Sequence, residues 1–430
     1  MKVYLDTVGC RLNQAEIEQM AGEFRAAGHT IIDTPQFADL VVVNSCAVTA
    51  AAASDSRQKV RQAQRAGAAK VVFTGCLASL EANTLPQFAE NLQVITNAEK
   101  ESIPSIIQPE NNLFDLEPLA RSPLPGVRKR TRAFIKAQDG CDNHCTFCVT
   151  RVARGNSVSL SKNKVLQAVE AATAGGAHEV VLTGVQLGSW GRDNDHGETL
   201  TDLVEFLLRN SSVERLRLSS TEPWDLDERF FSLWQDTRMC PHLHLPLQSG
   251  STNTLKCMAR RTTPQDYREL LALARENIQG LAITTDIIVG FPGESDDDFD
   301  ESLKFVREMN FSGGHVFKYS ARPGTAAAKL SGRVHGSVAG ARGRLMRQVV
   351  EESAIDYAQG CVGKSMDVLW ESANQKTDGT WKNIGLTGNY LQVSAISNES
   401  RENKIDRVIL QTINGTYLNA MIINEQQESI

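Results

Sequence analysis

The sequence predicts an α/β protein in three parts. An open parallel α/β sheet domain spans residues 1–118, a partial (β/α)6 barrel spans 133–360, and a small antiparallel β-barrel spans 361–430, with a basic linker at 119–132. Three observations carry this. Short apolar runs alternate with helix-period segments as far as Tyr357, the rhythm of parallel strands joined by crossover helices. Helical periodicity then stops near Cys361, where short strand patterns divided by turns take over. Cysteines also recur at the ends of predicted strands, where α/β folds place their ligand sites.

In the first part, residues 2–5, 40–43 and 70–73 read as buried parallel strands, with helices at 16–27, 56–66 and 86–91. Each strand runs into a small residue followed by cysteine: Gly9-Cys10, Ser45-Cys46 and Gly75-Cys76. The carboxyl ends of parallel strands share one sheet edge, so these thiols are predicted to converge although they lie far apart in sequence. One such step is ordinary turn chemistry with a small buried hydrophobe. Three at equivalent topological positions favour a metal-cluster site. The stretch 121–136 that follows holds Arg121, Arg128, Lys129, Arg130, Arg132 and Lys136 and no acid. A solvated connector and a phosphate-contacting strip are equally good readings of it.

In the central part the predicted strands are 133–137, 179–183, 215–218, 242–245, 282–289 and 314–317. Helices fall between them, including 164–174, 200–209, 264–276 and 297–309. Six strand–helix repeats suit a partial barrel with its site at the carboxyl ends of the strands. The loop after the first strand carries Cys141, Cys145 and Cys148 in C-x3-C-x2-C spacing, with Phe147 just before the last. Thiolates are the usual ligands of iron–sulfur clusters, and three of them leave one iron of a cubane open. An open iron can take a substrate, as a catalytic zinc keeps a free position. A zinc knuckle would want a second Cys/His pair, and none flanks this loop.

Other candidates lie at the same barrel mouth. Gly184 permits close backbone approach in a tight turn and Gln186 offers hydrogen bonds. Ser220 and Glu222, within Ser219-Ser220-Thr221-Glu222-Pro223, are hard to explain as packing. Gln248 and Ser249 end the fourth strand, and Gly290-Phe291 would set an aromatic ring against an adenine face. Cys240, His242 and His244 alternate along one strand face, which is read as the inward face of a barrel strand and not as a metal site. Cys257 and Cys361 have no partners at ligand spacing. The acidic run 294–301 reads as a helix N-terminus. A second basic stretch, with Arg322, Lys329, Arg333, Arg342, Arg344 and Arg347, is either a phosphate track or a plain surface helix. In the last part, 366–371, 391–395, 406–413 and 416–422 read as strands of an oligonucleotide-binding-sized barrel. Its six basic residues face eight acidic ones.

Composition bounds the rest. The 430 residues, 41% apolar and 22% charged, describe a soluble globular chain of two to four domains. No apolar run approaches the roughly 20 residues of a membrane span, and the N-terminus opens as a strand without a signal-peptide pattern. A cytoplasmic location without membrane attachment is expected. Nine cysteines in such a chain are better read as metal or redox ligands than as disulfides. A net charge of −6 advertises no DNA partner, and any RNA contact must come from local patches.

The chain resembles the radical S-adenosylmethionine (SAM) methylthiotransferases. The likeness runs through Thr7-x-Gly9-Cys10-x-x-Asn13-x-x-Glu16, Asn44-Ser45-Cys46, Thr74-Gly75-Cys76, the loop Gly140 to Cys148, and Ala153-Arg154-Gly155. Cys141-Asp142-Asn143-x-Cys145, Arg217-Leu218-Ser219-Ser220-Thr221-Glu222-Pro223 and Gly385-Leu386-Thr387-Gly388-Asn389-Tyr390 resemble the branch that modifies N6-threonylcarbamoyladenosine 37 of tRNA. Thr150-Arg151-Val152 departs from the family's Ile-Pro-x, which bears on substrate contacts and not on the chemistry. The resemblance implies a radical-SAM barrel, a TRAM-like C-terminal domain and two [4Fe-4S] clusters, an auxiliary one on Cys10, Cys46 and Cys76 and a second on Cys141, Cys145 and Cys148. One SAM would methylate a sulfur at the auxiliary cluster, and another, cleaved at the second, would give the 5′-deoxyadenosyl radical that activates adenine C2. Phe147, Gly184, Gln186, Ser220, Glu222, Gln248, Ser249, Gly290 and Phe291 are the candidate SAM contacts. The implied partners are the tRNA anticodon loop, whose bases unstack cheaply, and a low-potential electron donor. The alternatives are methylthiolation of isopentenyladenosine 37 tRNA or of ribosomal protein S12, a cobalamin-dependent radical methyltransferase, and a non-catalytic iron–sulfur RNA-binding protein.

Overall fold

A computed structural model describes residues 1–85, 91–107, 131–194, 197–415 and 417–423. The N-terminal sheet has five parallel strands in the order Thr30–Ile32, Lys2–Thr7, Leu40–Ser45, Lys70–Gly75, Leu92–Val94. The inner three match expectation. The outer two are three-residue strands, too short to show a period of their own. Val3, Val42 and Val72 pack one face against Ile17, Met20 and Phe24 of the helix Arg11–Ala26. Val41, Val71 and Phe73 pack the other against Ala53 and Val60 of the helix Ala50–Arg65. The expected helix at 86–91 falls almost wholly outside the described residues, as do Arg121, Arg128, Lys129 and Arg130. Two members of that basic strip are described, and both are committed to ion pairs, Arg132 with Glu371 at 2.7 Å and Lys136 with Glu101 at 2.6 Å.

The central part is the expected parallel half-barrel. Arg215–Leu218, Glu179–Thr183 and Arg132–Lys136 form one three-stranded sheet, and His242–His244, Ala282–Val289 and Gly313–Lys318 form another. Parallel bridges Leu216↔Met239 and Ser220↔His244 link the two, so six strand ends open on one side. A single cluster of buried aliphatic and aromatic residues, Val180, Leu182, Leu216, Leu243, Ile283 and Ile287 among them, fills the interior and the helix layer. The acidic run does start a helix, Asp296–Met309, closed by a Ser295–Asp298 capping box. In the second basic stretch, Arg342 is buried against Glu294 at 2.8 Å and Asp296 at 2.6 Å, so it braces the helix Gly336–Gln359 and is not free for phosphate.

The C-terminal part is a closed five-stranded barrel, Ser365–Gln375, Trp381–Thr387, Gln392–Ser397, Tyr417–Ile422 and Ile405–Asn414 in spatial order. Its pairs are antiparallel except the one that closes it, where Val393 faces Leu418 in parallel, a departure from the all-antiparallel expectation. The strand Trp381–Thr387 was not expected, because Asn383 and Gly385 are poor strand formers. Both are needed there. A side chain at Gly385 would run into the Leu369 carbonyl, and Asn383 is buried, donating to Ser397 Oγ at 2.8 Å. Among the described residues no helix is long and apolar enough to cross a membrane.

Candidate active site

The sequence places three cysteines where the sheet edge meets the helices. Cys10 is the N-cap of Arg11–Ala26, Cys46 follows Leu40–Ser45, and Cys76 opens the helix Cys76–Leu80. The small residues before them are required by the close approach. Gly9 has φ +106°, and a Cβ there would fall 2.5 Å from Cys46 Cβ. Gly75 has φ +97°, and a Cβ would enter the Ser45 carbonyl. All three cysteines line one cavity, and burial pushes Cys46 up to about 11, with Cys10 and Cys76 adding to the shift by like-charge repulsion.

Arg154 ties this trio to the barrel. It lies in the short helix Thr150–Arg154 that follows Cys148. Its Nε donates to Cys76 Sγ at 3.2 Å, and its other nitrogens donate to Glu16 and Asp139, each at 2.8 Å, and to Asn13 Oδ1 at 2.7 Å. Glu16 also meets Lys100 at 2.8 Å and accepts from Asn44 Nδ2 at 3.0 Å. Burial alone would raise the Glu16 carboxyl, but Lys100 and Arg154 hold it well below the usual range.

Each sulfur of the second trio has a hydrogen-bond partner. The Cys141 thiol donates to Gln186 Oε1 at 3.3 Å, the Thr150 N–H donates to Cys148 Sγ at 3.4 Å, and Arg260 Nη1 reaches Cys145 Sγ at 3.7 Å. Arg260 is itself clamped on Glu222 at 2.6 Å and stacked 4.6 Å over the Trp224 ring. Burial pushes Cys141 up to about 12, with Cys148 and Cys145 adding by repulsion. Among the described residues no three His, Cys, Asp or Glu side chains close round a single ion. A cubane asks for less, since its corners hold thiolates farther apart than one ion does.

A cavity of about 650 Å³ joins the two halves. Cys10, Cys46 and Cys76 line one side, and the strand-end residues Gly184, Ser220, Glu222 and Gln248 line the other. Thr183, Ser219, Thr221 and Asp286 line it too, each with a buried side-chain oxygen that has no hydrogen-bond partner. Unsatisfied oxygens in a site of this size call for a polar ligand. The donor chemistry thus fits sulfur-ligated iron at both trios and a polar ligand in the cavity, although Cys141, Cys145 and Cys148 are not among the residues that line it. Not every candidate arrives there. Phe291 is fully buried beside Met258 and Ala327, with Phe147 and Tyr319 edge-on to it, because its apolar ring serves the floor beneath the cysteine loop. It presents no face to an adenine. The Gly290 N–H is taken by Glu294 Oε2 at 2.8 Å, and Ser249 Oγ accepts from the Ser251 N–H at 3.2 Å. Gln186 stands behind the cavity wall, holding Cys141.

The C-terminal barrel reaches the same junction through Tyr390. Its ring stacks on His242 at 4.6 Å, with the guanidinium groups of Arg11, Arg132 and Arg217 within 6 Å of its centroid. Arg217 also donates to the Gly388 carbonyl at 2.8 Å and pairs with Glu179 at 2.7 Å. His242 and His244 share the Thr284 hydroxyl at 3.0 and 2.9 Å, so this strand face makes a hydrogen-bonded chain and not a metal site. Sequence reasoning left Arg11, Arg154, Arg260 and Tyr390 out of the site. Only the motif positions of Arg154 and Tyr390 pointed to them.

A parallel half-barrel with a three-cysteine loop at its mouth defines a radical SAM enzyme. Residues 135–306 match the Radical SAM superfamily, and residues 2–97 match the Uncharacterized protein family UPF0004. The chain is 33% identical over 418 residues to the threonylcarbamoyladenosine tRNA methylthiotransferase MtaB of Bacillus subtilis, covering 94% of this chain and 93% of the relative. It is 34% identical to the MtaB of Thermotoga maritima, over 86% of each chain, and 32% identical to that of Aquifex aeolicus, over 91% and 96%. It therefore belongs to the MtaB family of radical SAM methylthiotransferases. Enzymes of the radical SAM class use SAM and a [4Fe-4S] cluster. Among solved structures, the radical SAM methyltransferase TsrM of Kitasatospora setae matches with a TM-score of 0.56 at 15% identity, covering 76% of this chain and 77% of that one. The cobalamin-dependent OxsB matches at 0.50 and 12%, covering 82% and 56%. At such identities these two share the fold alone.

Proposed function

We propose that the chain is a tRNA methylthiotransferase that places a methylthio group on C2 of N6-threonylcarbamoyladenosine 37. The observation that carries the reading is the single cavity walled by Cys10, Cys46 and Cys76 on one side and by the barrel mouth on the other. In this reading both trios hold [4Fe-4S] clusters, each with an open iron. Clusters and SAM together supply the radical and sulfur chemistry needed to replace an aromatic C–H, which acid–base groups cannot do.

The chain's own residues bind, orient and shield. Cys141, Cys145 and Cys148 would hold the barrel cluster, and Arg260 donates toward the Cys145 sulfur. Ser219, Thr221 and Asp286 offer unsatisfied oxygens to the bound cofactor or base. Arg154 fixes the distance between the trios by gripping Glu16 and Asp139 at once. Such positioning holds reacting groups in line. The anticodon loop is the expected docking partner, with a low-potential electron donor serving the barrel cluster. The C-terminal barrel contributes little bare charge, because Arg401, Lys404, Arg407 and Lys376 all pair with acids. Mass spectrometry of tRNA nucleosides from cells lacking the gene tests the assignment. Loss of 2-methylthio-N6-threonylcarbamoyladenosine supports it, and an unchanged level removes it.

A further inference from the structure

We infer that Arg11 receives the threonyl carboxylate of the substrate base, an assignment that rests on the function proposed above. Arg11 directly follows Cys10 in the chain and lines the shared cavity. The buried or half-buried arginines around it are each balanced by an acid: Arg154 by Glu16 and Asp139, Arg132 by Glu371, Arg217 by Glu179, and Arg260 by Glu222. Arg11 is not. Among the described residues its side-chain hydrogen-bond partner is the Tyr390 hydroxyl, at 2.7 Å, a neutral phenol that accepts a hydrogen bond without cancelling charge. Arg132 and Arg217, each already paired with its own acid, pack on the other sides of the Tyr390 ring.

The chemistry of the substrate fits this charge. The relatives' name specifies a threonylcarbamoyl group, and threonine linked through its nitrogen leaves a free carboxylate. A guanidinium presents a planar fork that matches a carboxylate with two parallel hydrogen bonds. Placement fits as well. C2 and C6, the carbon that bears N6, both flank N1 of the adenine ring, so a substituent anchored beside Cys10 brings C2 toward the Cys10, Cys46 and Cys76 side of the cavity. An unmodified or isopentenylated adenosine carries no anion and gains nothing from this residue. Arg11 would thus act in specificity, through binding.

The test uses reconstituted holoenzyme and labelled anticodon stem–loops carrying threonylcarbamoyladenosine, unmodified adenosine, or the threonyl methyl ester at position 37. Wild type should bind the first RNA more tightly than the second by roughly tenfold to a hundredfold, the worth of a charge-assisted hydrogen-bonded pair. The ester should bind as weakly as unmodified RNA, a result that needs no variant. Arg11→Met should abolish the preference, and Arg11→Lys should restore part of it. A preference that survives Arg11→Met overturns the assignment. So does an equal loss on both RNAs, which would mean that Arg11 only braces Tyr390. Wild type that neither prefers nor methylthiolates the threonylcarbamoyl RNA overturns the proposed function itself, and is told apart because it appears without any substitution.

Discussion

Replacing Arg154 by methionine should loosen the seam between the N-terminal sheet and the barrel. The guanidinium is almost fully buried and donates to Glu16, Asp139, Asn13 and Cys76. Methionine fills much of the volume and removes all of these bonds. Glu16, equally buried, keeps Lys100 at 2.8 Å and Asn44 at 3.0 Å, so it is weakened and not orphaned. Asp139 is more open and keeps the Gly140 N–H at 2.8 Å. The cost should therefore sit near the low end of that for a broken buried pair, about 3 kcal/mol. At 1.4 kcal/mol per decade, the seam should open roughly a hundredfold more often. Hydrogen exchange followed by mass spectrometry reads this directly, in peptides from the helix Arg11–Ala26 and from residues 139–155. Peptides of the C-terminal barrel serve as the internal reference and should not change. Arg154→Lys should recover only a minor part, because an ammonium cannot reach four separate acceptors. Unchanged exchange at the seam, or equal acceleration in the C-terminal barrel, would refute the reasoning.

Two further outcomes follow from the same geometry. Gly9→Ala puts a methyl group on Cys46 at a backbone angle that disfavours any side chain, and should cost at least about 1–2 kcal/mol from the angle alone. Its iron content should fall toward that of a protein without the auxiliary cluster, while the C-terminal barrel melts normally. The second concerns acid. Burial opposes ionisation of Glu16 and Glu179, yet Lys100 and Arg154 hold the first well below the usual range, and Arg217, Arg215 and Arg132 do the same for the second. A depressed carboxyl contributes stability above its unfolded value, roughly 4.3, and loses it as pH falls toward the lower folded value. The apparent melting temperature should hold from neutral pH to roughly 5 and drop below that, and Glu179→Gln should flatten the drop. A decline that begins nearer neutrality would contradict this.

The legible parts of the site were those whose chemistry is local. A C-x3-C-x2-C loop gathers three thiols within eight residues, and Gly-Cys after a strand fixes a thiol at a sheet edge whatever surrounds it. Strand–helix alternation gave the half-barrel for the same reason, since the period is written in each segment. The illegible parts arise from distance along the chain. Arg154 meets Glu16 across 138 positions and Arg11 meets Tyr390 across 379, and a lone arginine carries no sign of such a partner. Phe291 shows the opposite error: an aromatic after a strand-end glycine serves a core or a ligand equally well by sequence, and here the core claims it. Trp381–Thr387 escaped because Asn383 and Gly385 answer to barrel closure and not to strand propensity.

Iron and sulfide analysis of anaerobically reconstituted protein, paired with assay of SAM cleavage, bears most directly on the proposal of two open clusters. About eight irons per chain are predicted for wild type, and about four for a variant with Cys10, Cys46 and Cys76 all replaced by alanine. That variant should still cleave SAM while transferring no sulfur. Undiminished iron in the triple variant, or cleavage lost in a well-folded one, would contradict the account.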